Sequence, residues 1–94
     1  MDIAFVGGAG RLGSALAAHS AIKGHRVTIA DIDEAAVAAI GACQTQGRYG
    51  VEPGVSGLLN AAVSEGKLRA TTGVAVAAEF AELITVIVPT PSDL

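Results

Sequence analysis

The 94-residue sequence has few cysteines, few basic residues and no long apolar run. A single cysteine, Cys43, excludes an intramolecular disulfide. Six lysines and arginines stand against nine aspartates and glutamates, without a basic stripe, which argues against nucleic-acid binding. The apolar runs are shorter than the roughly 18 residues of a membrane span, and the N-terminus has no signal-peptide pattern. We therefore expect a cytoplasmic protein without nucleic-acid or membrane partners.

Aromatic residues are also scarce: one tyrosine, two phenylalanines and no tryptophan. The core must then be built from small aliphatic side chains. The two histidines, His19 and His25, lie apart and without cysteine partners, so we expect no metal site. Cys43 has no motif around it and is interpreted as a partly buried thiol rather than a nucleophile.

Short apolar runs alternate with alanine-rich segments of helical periodicity. The pattern predicts strands at 3–6, 25–30, 68–71 and 83–88, and helices at 11–23, 34–42, 55–64 and 74–81. In the first helix, the apolar face is predicted from the spacing of Leu12, Ala15, Leu16, His19 and Ile22. Strands alternating with helices predict an α/β fold, a Rossmann-like parallel sheet of order 3-2-1-4, as a truncated doubly wound three-layer sandwich.

The junction between the first strand and the first helix carries the pattern G-x-G-x-x-G, at Gly8-Ala9-Gly10-Arg11-Leu12-Gly13. Alone this pattern is weak, but here it follows a strand and opens a helix, where a dinucleotide site needs it. Gly8 permits the tight turn, Gly10 lets a pyrophosphate approach the backbone, and Gly13 lets the helix lie close to the strand. The helix N-terminus offers free amides to the phosphates.

An acidic residue, Asp31, lies 18 residues after Gly13, at the end of the predicted second strand. A carboxylate in this position accepts hydrogen bonds from the adenosine ribose hydroxyls and repels a 2′-phosphate. Ile32 and Asp33 supply no compensating cation, so NAD is favoured over NADP. Asp33 itself has the position of a helix N-cap.

The second half of the chain contains sequence blocks that distinguish between families with such a glycine loop. The blocks that carry it, in order, are Glu52-Pro53-Gly54, Leu58-Leu59, Gly66-Lys67-Leu68-Arg69-Ala70-Thr71-Thr72 and Ile84-Thr85-Val86-Ile87-Val88-Pro89-Thr90-Pro91-Ser92. Together with the glycine loop they resemble the N-terminal NAD-binding domain of the UDP-glucose/GDP-mannose dehydrogenase family. The resemblance extends from Ile3 to Asp93.

This resemblance implies an NAD-dependent oxidoreductase that converts the 6-hydroxymethyl group of a nucleotide-linked sugar to a carboxylate. It implies cofactor contacts at Gly8, Gly10 and Gly13, at Arg11 and Leu12 through their backbone, at Asp31 and at Thr90. The family's nucleophilic cysteine and sugar-binding regions lie farther downstream. We therefore expect residues 1–94 to form an incomplete NAD-binding Rossmann domain without catalytic residues, which meets a nucleotide sugar only through missing domains. The chain departs from the family at Gly73, where an aspartate is common, and lacks the basic residue often found near Ala35.

Other interpretations stay open. The chain is alternatively a non-catalytic dinucleotide-binding or oligomerisation module, or a reductase like the deazaflavin-dependent NADP reductases or prephenate dehydrogenases, which the double glycine resembles. The apolar fourth strand, at the predicted sheet edge, favours a homodimer or oligomer formed there. Glu52 either stabilises the start of the third helix or organises the cofactor-side loop, and the first role is favoured.

Overall fold

The computed structural model describes residues 1–7, 9–45 and 51–87. Four strands alternate with four helices. In chain order they are β1 (Asp2–Val6), α1 (Arg11–Ile22), β2 (Arg26–Ala30), α2 (Glu34–Gly41), α3 (Pro53–Ser64), β3 (Leu68–Thr71), α4 (Val74–Glu79) and β4 (Leu83–Val86). Every predicted element is present: β3 has the predicted bounds, the other elements differ by one or two residues at their ends, and Val88, the predicted end of the fourth strand, lies outside the described residues. No helix within the described ranges is long and apolar enough to cross a membrane.

The four strands form one parallel sheet in the order β3-β2-β1-β4, as predicted. β1 is central: its Ile3 is paired in register with Val27 of β2 on one side and with Leu83 of β4 on the other. The connection through α1 leads from β1 to β2 on one side of it, and the connection through α4 leads from β3 back across the sheet to β4 on the other side of β1. The carboxyl ends of β1, β2 and β4 consequently meet at one edge, where ligands of such sheets bind.

The sheet separates two apolar layers because successive strand residues point to opposite faces. On one face, Ile3 and Phe5 of β1 pack with Ile29 and with buried residues of α1, α2 and α3, including Leu59. On the other face, Ala4 and Ala30 pack with Ala77 of α4. This is the three-layer arrangement that the alternation of elements predicts.

The buried face of α1 differs from the predicted one. Leu12, Leu16, His19 and Ile22 are exposed. The buried residues of the helix are small: Gly13, Ser14, Ala17, Ala18 and Ala21. Close packing of α1 on the sheet and on α3 leaves room only for the small side chains of glycine, alanine and serine, so these face inward although larger apolar ones were available.

Helix ends follow the local chemistry of the sequence. The Asp33 carboxylate accepts a hydrogen bond from the Ala36 amide at 3.1 Å, which confirms the N-cap. Gly24 ends the turn after α1 with φ of 96°, and Gly66 does the same after α3 with φ of 75°. Pro53 occupies the first turn of α3, where its missing amide hydrogen costs nothing.

Candidate functional site

A cleft of about 530 Å³ opens at the carboxyl ends of β1 and β2, beside the start of α1. Its lining residues are Val6, Gly7, Gly10, Arg11, Leu12, Gly13, Ala30, Asp31, Ile32, Val74 and Ile87. Five of the predicted site residues, from Gly10 to Gly13 and Asp31, are thus brought together around one space. The other two predicted residues, Gly8 and Thr90, lie outside the described residues.

The turn after β1 depends on Gly7, which the sequence analysis did not single out. Its backbone has φ of 81°, and a Cβ at this position would lie 2.5 Å from the carbonyl oxygen of Ile87. Its amide donates to the carbonyl of Ala30 at 2.7 Å, and the Ile87 amide donates to Val6 at 2.8 Å. Gly7 therefore permits the chain after β4 to approach the turn. The double glycine in the sequence was the signal that would have identified it.

The start of α1 presents backbone amides to the cleft. Gly10 is the N-cap residue, with φ of −82° and ψ of −170°, and has no side chain with which to cap the helix. The carbonyl of Gly10 accepts the first helical hydrogen bond, from Ser14, at 2.9 Å. The amides of Arg11, Leu12 and Gly13 precede that first bond, so the helix geometry gives them no acceptor within α1.

Space is also available where a phosphate would meet this helix. A Cβ built on Gly10 would have no atom within 4 Å of it among the described residues. The open space adjoins the unpaired amides, and the helix dipole places partial positive charge there. An anionic, phosphate-sized group fits this part of the cleft.

Asp31 connects the end of β2 to the glycine loop. Its Oδ2 accepts a hydrogen bond from the amide of buried Ala9 at 3.1 Å, and its Oδ1 accepts one from the Asp33 amide at 3.0 Å. The Asp31 amide donates to the carbonyl of Thr71 at 3.1 Å, which holds the residue against β3. Two backbone donors thus orient the carboxylate at the cleft.

This orientation leaves the carboxylate able to bind a ligand. An ionised carboxylate has about four lone-pair sites, and the Ala9 and Asp33 amides use one on each oxygen. One site on each oxygen stays available, which matches two neighbouring hydroxyl groups such as those of a ribose. The residues present therefore fit a dinucleotide, with ribose at Asp31 and phosphate at the start of α1.

An ion pair crosses from α1 to α3 beside the cleft. Nε and Nη2 of Arg11 both donate to Oε1 of Glu52, at 3.2 and 2.9 Å. Glu52 is the N-cap residue of α3 but makes no side-chain capping bond. Its side chain contacts Arg11 of the glycine loop, and its position directly before α3 also allows the favoured role, the dipole contact at the start of that helix. The sequence holds no local signal for this pair because its members are 41 residues apart.

The remaining candidates lie elsewhere. Cys43 is half-buried, and its thiol contacts the backbone carbonyl of Asn60 at 3.5 Å, among α2 and α3 residues rather than the cleft. Within residues 1–7, 9–45 and 51–87, no group of three or more histidine, cysteine, aspartate or glutamate side chains is placed to hold a metal ion.

Comparison with known proteins identifies the family. The model of the UDP-glucose/GDP-mannose dehydrogenase family, NAD binding domain, matches residues 1–94. The chain belongs to this family. Membership in it confirms the predicted resemblance and the assignment of the chain as a nicotinamide-dinucleotide-binding domain.

Two solved dehydrogenases have the same fold. A GDP-mannose dehydrogenase from Pseudomonas aeruginosa, solved as a ternary complex, matches with a TM-score of 0.86 at 28% identity, over 98% of this chain and 20% of that one. A UDP-glucose dehydrogenase from the archaeon Pyrobaculum islandicum matches with a TM-score of 0.81 at 26% identity, over 96% and 21%. The chain therefore spans about one fifth of the length of these enzymes. A comparison with curated proteins gave no match.

Proposed function

We propose that this cleft binds NAD and that the chain is the NAD-binding part of a nucleotide-sugar 6-dehydrogenase. The observation that carries the proposal is the placement of Asp31. Its carboxylate is oriented by the Ala9 amide of the glycine loop and retains acceptor capacity towards the cleft. The adenosine ribose then hydrogen-bonds to Asp31, and the pyrophosphate lies on the amides of Arg11, Leu12 and Gly13.

The preference for NAD over NADP follows from charge. A 2′-phosphate on the ribose would meet the Asp31 carboxylate directly. Among the described residues that line the cleft, Arg11 is the only cation, and its guanidinium is bound to Glu52. Ile32, which follows Asp31, is 88% exposed and apolar. The charge of a 2′-phosphate would thus be poorly compensated, which disfavours NADP.

The reaction proposed is oxidation of the 6-hydroxymethyl group of a UDP- or GDP-sugar to a carboxylate. When bound, NAD supplies the hydride acceptor for this oxidation. The family of the chain and the names of the two solved dehydrogenases support this substrate class. By the same resemblance, Gly8 and Thr90 belong to the cofactor site, whereas no residue of this chain is proposed as catalytic.

NMR titration of the isotope-labelled chain with NAD and with NADP tests the cofactor proposal. We expect NAD to shift the amide signals of Gly10 and Asp31 and to bind more tightly than NADP. The Asp31→Asn variant should bind NAD more weakly and discriminate less against NADP. Asp33→Asn is a matched control, because it removes the same charge two residues away and asparagine still caps a helix.

Three results would count against this proposal. Absence of shifts at both Gly10 and Asp31 would show that the cleft does not take the dinucleotide. Tighter binding of NADP would place the chain nearer to a reductase of another type. Equal effects of the Asp31 and Asp33 substitutions would mean that net charge, rather than a ribose contact, controls affinity.

A second candidate is a non-catalytic module that associates through its sheet edge, and the exposure of β4 favours it. Leu83 is 49% exposed, Ile84 45% and Val86 64%, at the edge strand of the described sheet. Exposed apolar edges pair readily with another chain, so we propose a second copy of the chain as partner. This association and cofactor binding are compatible, because β4 and Asp31 lie on opposite sides of β1.

A further inference from the structure

The ion pair between Arg11 and Glu52 lies at the start of α1, beside the amides on which the proposed pyrophosphate would bind. Arg11 is the first residue of α1 and lines the cleft, whereas Glu52 does not line it. We propose that Glu52 lowers the phosphate affinity of the cleft by holding the Arg11 guanidinium away from it, so that cofactor binding includes a change of partner by Arg11. This inference rests on the proposed dinucleotide binding and adds Glu52 as a positioning residue that acts through Arg11.

Glu52 is held firmly at the start of α3. The preceding residue, Val51, is 2% exposed and packs in the main apolar core. The carbonyl of Glu52 accepts the first bond of α3 from the Ser56 amide at 2.8 Å, and Pro53 restricts the backbone between them. Because α1 packs against α3, the backbones of Arg11 and Glu52 are held close to each other, and the two side chains can pair.

The pair is nevertheless easy to break. The Arg11 side chain is 77% exposed and that of Glu52 is 57% exposed, so water screens their attraction. A pyrophosphate on the amides of α1 offers two negative charges to the arginine of the same turn, and charge-assisted bonds from guanidinium to phosphate are strong. After losing Arg11, the Glu52 carboxylate stays beside the N-terminus of α3, where the helix dipole stabilises negative charge.

Four variants and two ligands separate this proposal from a general charge effect. Glu52→Gln weakens the hold on Arg11, Arg11→Gln removes the guanidinium, and the double variant does both. Glu65→Gln is the matched control: Glu65 follows the other end of α3 and pairs with Lys67 at 3.3 Å, with comparable exposure. NAD carries the pyrophosphate, whereas adenosine presents the same ribose without phosphate. Dissociation constants come from the NMR titration of each variant.

We expect Glu52→Gln to bind NAD about two- to fivefold more tightly than the unchanged chain, the factor to which the coupling of an exposed ion pair corresponds. Arg11→Gln should weaken binding by at least as large a factor. In the Arg11→Gln background, Glu52→Gln should change affinity little, because there is no guanidinium to release. Adenosine should bind all variants alike, and Glu65→Gln should resemble the unchanged chain.

The contradicting results are distinct from one another. Weaker NAD binding by Glu52→Gln would overturn the proposal, because it would mean that Glu52 directs Arg11 towards the phosphate. The same tightening with and without Arg11, or in Glu65→Gln, would show simple charge repulsion and would overturn it as well. If the unchanged chain binds NAD normally while Glu52→Gln is indistinguishable from it, this inference fails and the proposed function stands. If the unchanged chain does not bind NAD, both fail.

Discussion

Substitution of Gly7 by alanine tests how the turn after β1 is built. The turn brings the backbone of Ile87 against Gly7, on a glycine whose φ is 81°. Alanine at this position is therefore expected to lose stability for two reasons. Its backbone has an unfavourable positive φ, and its Cβ would lie 2.5 Å from the carbonyl oxygen of Ile87. The neighbouring backbone is itself hydrogen-bonded, because Gly7 donates to Ala30 and Ile87 donates to Val6.

The free-energy cost of each effect can be estimated separately. A residue with a Cβ loses about 1–2 kcal/mol at positive φ. The overlap with Ile87 behaves like overpacking, which costs about 1–3 kcal/mol, and a hydrogen-bonded backbone cannot move aside as a flexible side chain would. We therefore expect Gly7→Ala to lower the free energy of unfolding by about 2–5 kcal/mol, a large part of the roughly 5–14 kcal/mol that a domain of this size has.

Two other glycines separate these contributions. Gly24 has φ of 96° but no atom within 4 Å of a Cβ, so Gly24→Ala carries only the backbone cost. Gly10 has negative φ and open space, so Gly10→Ala should cost about 1 kcal/mol or less, from poorer helix capping. The same Gly10→Ala substitution should weaken NAD binding, because its methyl group would lie where the phosphate approaches the backbone.

Urea unfolding followed by circular dichroism measures the free energy of unfolding of the three alanine variants. In thermal unfolding, the Tm of Gly7→Ala should be lower than that of the unchanged chain by at least about 10 °C. The reasoning is refuted if Gly7→Ala and Gly24→Ala are destabilised equally, since the contact with Ile87 would then cost nothing. A Gly10→Ala variant as unstable as Gly7→Ala would likewise contradict the assignment of the tight position to Gly7.

Three further outcomes are expected. Asp33→Ala should lower the free energy of unfolding by about 1 kcal/mol through loss of the N-cap bond, measured by urea unfolding, and an unchanged value would contradict that role. Leu59→Ala should cost about 2–5 kcal/mol because Leu59 is fully buried, whereas Leu58→Ala, at a 38% exposed position, should cost clearly less in the same assay. We expect the unchanged chain to associate with increasing concentration in sedimentation, Ile84→Lys to abolish this association, and Ile22→Lys, at an exposed isoleucine of α1, to leave it intact; a chain that is monomeric at high concentration would contradict the proposed edge pairing.

Much of the fold was predictable because its signals are local. Apolar runs of strand length alternate with helical segments, and right-handed crossovers then leave few possible strand orders. Asp33 and Gly24 mark helix ends through their own backbone and side-chain chemistry. The glycine loop and Asp31 were predictable for a similar reason, because each sits at a fixed place relative to a strand end.

Other features depend on how elements approach one another in space. The spacing of Leu12, Leu16 and Ile22 predicts an apolar face, yet the small residues of α1 are buried instead. Hydrophobicity scales rank side chains by their free energy of transfer from water. Which side chains fit in an interface, however, depends on the distance between the helix and its neighbours. The tertiary structure alone decided that distance, the contact of Gly7 with Ile87 and the pairing of Arg11 with Glu52, because each joins residues that are remote along the chain.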